Sequence, residues 1–564
     1  MDQHLHSTKA IDVDYSLKDD PIGSGDLSVA VIPKNVPRIT SIGGHDYWGE
    51  AFNAIFDFIG NNVMAPAGVF EMPWLRPGPA WKGAWVFETA FNAKTWSLCN
   101  PEFTRETLEA LLTFQDMIDP SDDKEYGRIP HSITIKSIGP WAAPPLLEWA
   151  IWELFKKNGS IDMLHQNFSK LFAYHLWLNY NRDLHKNGLY SWVHASESCI
   201  ENAPRFDAVA PQDCDAVDFS CLVSLQLRSL INMATILKDD TVIENLEARK
   251  QELDSWINED LWDESTGFYY DKAFSGDHKG EFIGPKALTG WYPLFAGIVP
   301  KERLSTYLKH LTDREEFWTA NPVPSVANDE SSFDKNMNLF RGGTWVFGNY
   351  IIIKGLKGYG FRQLPGELAY LTVAHVFDTY QKKRNFYEFY NCLGLDDHIE
   401  QLTRKTETTG PRQYFIGSTG LVANLLLEDI LGIEVQYDSI LLNPSLPEKF
   451  TSKIEDGLVK GSLPGVPGWS RQDKIDFQLN FMADDVIEFE FTLANPMDVY
   501  VLEFSTREKI FSGDDVSIIQ VEVKNNKDII SIFSKPEGES IKEDYLKRPD
   551  IVLKKMPDDD SETG

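Results

Sequence analysis

Cysteine is scarce in this chain. There are five in 564 residues (Cys99, Cys199, Cys214, Cys221 and Cys392), an odd number with no Cys-x-x-Cys spacing. That pattern argues against a disulfide framework and a zinc ribbon, and for reduced thiols in a cytoplasmic protein. No run approaches 18 consecutive apolar residues, so no membrane-spanning helix is expected. The first 14 residues are polar and lack the apolar core of a secretory signal. Basic residues are in deficit: 54 Lys+Arg face 85 Asp+Glu, a formal net charge of −31. Neutralising phosphates needs cations, so neither nucleic acid nor an anionic membrane surface is an expected partner. The 12 histidines are dispersed without a His-Glu-x-x-His pair, which leaves no catalytic metal to expect. Asp183 to His194 has a superficial likeness to a calcium loop, but His194 stands where a closing Glu belongs. Gly355 to Gly360 has the wrong spacing for a dinucleotide fingerprint, and no phosphate-cradling Gly-x-x-x-x-Gly-Lys-Ser/Thr loop exists. No metal or organic cofactor is expected.

Aromatic residues are abundant: 16 Trp, 20 Tyr and 34 Phe, 12% of the chain. Their setting changes along the sequence. Residues 1–45 read as an irregular N-terminal arm with Gly and Pro punctuation. Over 46–432 the apolar spacing is helical, in about a dozen segments. These include Glu102 to Met117, Pro144 to Phe155, Ile161 to Tyr180, Val217 to Ile236, Thr241 to Leu261, Gly342 to Ile353, Glu367 to Tyr380 and Gly417 to Leu431. Over 433–545 the spacing becomes alternation. Lys474 to Phe481, Val486 to Leu493 and Asp515 to Val523 alternate polar and apolar residues, as half-buried strands do. Residues 546–564 form an acidic tail expected to be disordered. The expected fold is mainly α, with a small β-rich C-terminal module whose default role is to brace the helical body.

Three polar, aromatic segments stand out. Ser191 to Asp207 carries Glu197, Glu201 and Arg205 between two helical patterns, where loops usually present functional groups. Ile200 and Phe206 could raise the pKa of Glu201 by desolvation, as a general acid requires. The plainer reading is a capping loop in which Arg205 neutralises Glu197, and composition alone favours it. Phe386 to Asn391 surrounds Glu388 with rings. Trp81 to Asn92 sets Trp81, Trp85 and Phe87 beside Glu88 and Asn92. Aromatic faces stack on pyranose rings while carboxylates and amides take hydroxyls, although core packing is the commoner fate of any single ring.

Taken in order, these segments resemble the (α/α)6-barrel glycosidases of the trehalase and glycoside hydrolase family 63 group, which includes mannosylglycerate and glucosylglycerate hydrolases. The resemblance covers about 45–430. It rests on Phe87 to Asn92 (Trp-Asp-Ser-Ala-Phe-His in the group), Gly127 to His131, Pro144-Pro145-Leu146, the Glu197 to Phe206 loop, Leu261 to Asp271 and Pro293 to Ile298. Later anchors are Glu316 to Thr319, Arg341 to Trp345 and Phe386 to Asn391. It implies an α-glycosidase working by inversion, with Glu201 as general acid and Glu388 as general base. Glu197 is the first alternative for the acid. The implied sugar-binding or orienting groups are Trp81, Trp85, Phe87, Glu88, Asn92, Glu197, Arg205, Trp318, Arg341, Trp345 and Tyr390. The implied partner is a carbohydrate, with self-association left open.

Several positions depart from the group. Glu201 and Glu88 stand where it has Asp, and Asn92 where it has His. Ala143 replaces a Gln, and Ile416-Gly417-Ser418-Thr419-Gly420 replaces Ser-Trp-Thr-Ala-Ala, which removes an expected pocket Trp. These changes imply a different sugar or leaving group. A phosphorylase or lyase on the same barrel, or a non-catalytic sugar binder, are the rival readings.

Overall fold

The computed structural model describes residues 36–121, 124–394, 410–437, 439–453, 458–464, 474–481, 486–492, 497–504, 516–523 and 527–533. The arm up to residue 35 and the acidic tail lie outside the described residues.

The helices follow the periodicity, with ends set by local chemistry. They are α1 (Asp46–Gly60), α2 (Val86–Trp96), α3 (Pro101–Leu112), α4 (Leu147–Asn158), α5 (Ile161–Asn181) and α6 (Val217–Leu237). The series continues with α7 (Asp240–Asp260), α8 (Tyr292–Ala296), α9 (Lys301–Thr312), α10 (Val346–Gly358) and α11 (Gln363–Lys383). The Asn100 side chain caps α3 by accepting from Phe103 N–H, with Pro101 in the first turn. The helix expected from Pro144 starts instead at Leu147, because a residue before proline is biased away from the helical region. The helix expected from Gly342 starts at Val346, because Thr344 is engaged in strand-like bridges to Pro324 and Tyr390. The segment expected as one helix over Gly417 to Leu431 is a short α-turn, Leu421–Asn424, widening into a π-turn, Leu425–Ile430.

Six of these elements form an inner ring. Helices α2, α4, α6, α8 and α10 each pack on the next, α10 packs on Leu421–Asn424, and that turn returns to α2. Outer helices lean on the ring, α7 on α6 and α11 on α10. Helix α6 is long and apolar enough to cross a membrane by length and composition, and 67% of the qualifying window is buried inside the protein. Its place in the inner ring accounts for that composition.

Two sheets lie toward the C-terminus. One orders its strands as Arg38–Ile42, Leu458–Pro464, Lys474–Phe481, Val486–Thr492 and Lys527–Phe533. The other runs Ile433–Val435, Ser439–Leu442, Met497–Phe504 and Val516–Val523. Within the arm expected to be irregular, Arg38–Ile42 is therefore a strand, and it pairs antiparallel with Leu458–Pro464. His45 then stacks on Phe450, and both His45 and Trp48 pack against Tyr370 of α11 at an angle.

Candidate active site

Short backbone pairings at one end of the ring gather the functional side chains. Gly83–Trp85 pairs with Ser132–Thr134, setting Trp85 opposite Ser132. Trp85 then leads into α2, whose first turn carries Glu88, where the positive end of the helix dipole favours a carboxylate. Thr344 and Tyr390 exchange backbone hydrogen bonds of 2.9 and 2.8 Å. That exchange brings Trp345, at the head of α10, beside the turn bearing Glu388. The backbone of Glu388 in turn donates to Arg412 C=O at 3.1 Å.

The result is a cavity of about 150 Å³ at the N-terminal end of α2 and α10. Its wall holds Glu88, Glu201 and Glu388 among the rings of Trp81, Trp85, Phe87 and Trp345. Seven of the residues singled out from the sequence thus meet in one place. Trp345 stacks on Phe340 with centroids 4.1 Å apart, and Trp81 leans on Phe415 at 5.1 Å. Glu201 is half-buried in the turn after a left-handed Cys199 (φ 57°). Burial pushes the Cys199 thiol well above its usual value, and the nearby charges of Glu88, Glu201 and Glu197 add to this.

Six other candidates are not on the cavity wall. Glu197 is fully buried; its oxygens accept from Arg182 Nη2 at 2.7 Å, Ala142 N–H at 2.9 Å and Val193 N–H at 3.0 Å. A carboxylate so occupied holds the loop in place, off the cavity wall. Arg205 does not neutralise Glu197. It is buried between Asp218, at 2.7 and 2.8 Å, and Asp271, at 3.1 Å. Arg341 points to Asp207, Nη1 to Oδ2 at 2.9 Å. Trp318 packs partly buried against the apolar core. The Tyr390 hydroxyl accepts from Tyr387 N–H at 3.1 Å, bracing the Glu388 turn from beneath. Asn92 is buried one turn further down α2 than Glu88.

The wall also holds residues that were not candidates: His131, Ser132, Trp141, Ser196, Cys199 and Phe340. Burial depresses the His131 pKa to about 4, so its imidazole is neutral at physiological pH. Trp141 stacks flat on His194, centroids 4.2 Å apart. Asn202 ties the acidic loop to the opposite wall, donating to Asn338 C=O and accepting from Phe340 N–H, both at 2.9 Å. The Gly127 to His131 motif was the available signal for His131; nothing in the sequence marks Phe340. The suspected calcium loop is held by its own backbone: Asp183 accepts from Asn187 and Gly188 N–H. No group of three metal-ligating side chains occurs among the described residues.

A ring of helices whose open end holds carboxylates between aromatic walls is the layout of an enzyme that acts on sugars. The family model described as "Mannosylglycerate hydrolase MGH1-like glycoside hydrolase domain" matches residues 81–393, and the chain belongs to that family. An uncharacterised protein of Borreliella burgdorferi is 25% identical over 309 residues, 54% of this chain and 60% of its own length. The mannosylglycerate hydrolase of Thermus thermophilus is 25% identical over 397 residues, 55% of this chain and 88% of the relative. The mannosyl-oligosaccharide glucosidase of Saccharomyces cerevisiae is 23% identical over 271 residues, 43% of this chain and 30% of the relative. Among solved structures, a family 63 mannosylglycerate hydrolase from Thermus thermophilus in complex with glucose superposes with TM-score 0.53 at 22% identity. It covers 66% of this chain and 98% of that one. A Bacillus family 78 rhamnosidase gives TM-score 0.56 at 13% identity over 81% of this chain and 41% of that one. At such identities the structural likeness speaks for the fold.

Proposed function

We propose that the chain is an inverting α-glycosidase acting on a small glycoside or short oligosaccharide. The closed inner ring with its outer helices supports an (α/α)6 barrel over 46–432, braced by a β-rich module over 433–545. The observation that carries the reading is the presence of Glu201 and Glu388 on one cavity with aromatic walls. In this scheme Glu201 protonates the leaving oxygen and Glu388 activates a water on the opposite face of the ring. Inversion needs room for that water, about 6.5–9.5 Å between the carboxyl groups. Glu88 takes a sugar hydroxyl, and Trp81, Trp85 and Trp345 wall the ring. The names of the Thermus and Saccharomyces relatives make mannosylglycerate and mannosyl-oligosaccharides the first substrates to try. The reading includes a cytoplasmic location and no metal or organic cofactor.

Glu201→Gln and Glu388→Gln should each lower kcat by about 10²–10⁴-fold without loss of folding. Wild-type turnover in both variants would end the assignment. Proton NMR of the first-formed product should show the anomer opposite to that of the substrate, whereas initial retention excludes inversion.

A further inference from the structure

A second cavity, of about 220 Å³, opens at the other end of the same ring. Helices α2 and α10 carry Glu88 and Trp345 at their heads and Lys94 and Lys354 toward their ends, one at each cavity. The second cavity is also bordered by Trp149, Trp152 and Arg228.

In a chain of net charge −31, this cavity is edged by a cationic surplus. Among the described residues, the cluster at and behind its wall holds Lys94, Lys156, Lys157, Arg228, Lys354 and Lys357. The carboxylates that pair with them are Glu153, Glu428, Asp429 and Glu434, two fewer than the cations, and Glu153 and Glu434 also line the cavity. Asp254, whose charge also acts on Arg228, is paired with Lys250 at 2.5 Å. Lys94 reaches Glu153 at 2.8 Å and Glu428 at 3.4 Å, and Lys354 reaches Asp429 at 2.8 Å. Lys157 and Lys357 lean on carbonyls as well as carboxylates, those of Val435 and Asn443. Arg228 has no carboxylate partner among the described residues. It donates to the carbonyls of Ala296 and Phe295, at 3.0 and 3.5 Å.

A buried charge without a counterion is costly, and the network shows the strain of it. Burial pushes Lys357 down to about 8 and also lowers Lys157 and Arg228; for Arg228 the charges of Asp254 and Glu153 offset burial only in part. Asn232, one helical turn beyond Arg228 on α6, offers an amide on the same face of the cavity.

We propose that this cavity, lined also by Trp149 and Trp152, is a binding site for a small oxyanion, the phosphate or carboxylate group of a metabolite, held by Arg228 together with Lys354, which would share its charge between the anion and Asp429. The site is independent of the catalytic reading.

The test is isothermal titration of the full chain with inorganic phosphate and, separately, malonate. Saturable binding of either is expected, with Kd of about 1 mM or tighter. Arg228→Gln and Lys354→Gln should each weaken it about tenfold, while Glu388→Gln leaves it unchanged. Phosphate without malonate identifies a phosphate ligand, and binding of both a general oxyanion site. The proposal fails if neither probe binds with Kd of about 1 mM or tighter, if either cation variant binds as tightly as wild type, or if Glu388→Gln weakens binding. Should the cation variants not fold, a crystal structure of the wild-type chain grown with phosphate decides. Anion density against Arg228 supports the site, and a cavity without it overturns the proposal.

Discussion

Glu88 is one methylene longer than the Asp the family resemblance calls for, and Gly417 is where that methylene finds room. A Cβ at Gly417 would stand 2.9 Å from Glu88 Cγ and equally close to Phe415 Cζ, nearer than real Cβ atoms come. Two departures noticed separately in the sequence are thus one packing arrangement, invisible until the 328 intervening residues fold. Gly417→Ala should displace Glu88 and Phe415 together. Because shifts near 1 Å can cost about 10²-fold, kcat/KM should fall by about 10–10²-fold while the melting temperature moves little. Unchanged kcat/KM would show that Glu88 does not position substrate. At the same scale, the sequence made Glu201, Glu388 and the Trp rings legible because each sits in a short motif. It could not separate Glu197 and Arg205 from them. Their partners, Arg182, Asp218 and Asp271, are fixed only by long-range packing. Arg205→Met would leave Asp218 and Asp271 buried without their cation, at a cost of about 3–5 kcal/mol. Arg205→Lys should not restore that, since a point ammonium cannot reproduce the two-pronged contact. Denaturant midpoints of the two variants check this; a wild-type midpoint for Arg205→Met would show that the anchor is dispensable.

Among elements, strands were read most closely. Lys474–Phe481 was expected from alternation alone and is observed with the same ends. The helix heads at Ile161 and Val217 are observed as expected, whereas those expected at Pro144 and Gly342 are displaced, because Pro144-Pro145 and the Thr344 bridges override periodicity. The π-turn Leu425–Ile430 had no local signal. Its Glu428 and Asp429 face lysines of α2, α4 and α10, so tertiary charge pairing accompanies the widened turn. Inner helices are also joined by polar side chains. Gln226 of α6 donates to Glu148 of α4 at 2.9 Å and meets His175 of α5 at 2.9 Å. Burial raises Glu148 to about 7, so the native state keeps a proton that the unfolded chain releases near its ordinary value of 4.5. Its contribution is therefore complete below about 4.5 and is lost as pH rises through about 7. Glu148→Gln should raise the urea midpoint at pH 8 more than at pH 5. An equal shift at both would refute the protonated pairing.

At the scale of the whole molecule, the opposite sign dominates under acid. His131 at the cavity of Glu201 and Glu388, His175 between α5 and α6, and His375 in α11 are all pushed by burial from 6.5 to about 4. Each stays neutral in the native protein while the unfolded chain takes up a proton below about 6.5. Stability present above 6.5 is then lost as pH falls toward 4, by up to about 1.4 kcal/mol per pH unit for each histidine. Glu148 works against this over much of the same interval and cancels roughly one histidine. The chain should therefore lose stability between pH 6.5 and 5, before ordinary carboxylates titrate, and Glu148→Gln should steepen that loss. His375→Phe should flatten it, because an apolar ring in the same buried position takes up no proton in either state. Thermal midpoints at pH 6.5, 5.7 and 5.0 for the three proteins measure the slopes. If all three slopes are equal, the acid response comes from the exposed charges and not from Glu148 and these buried histidines.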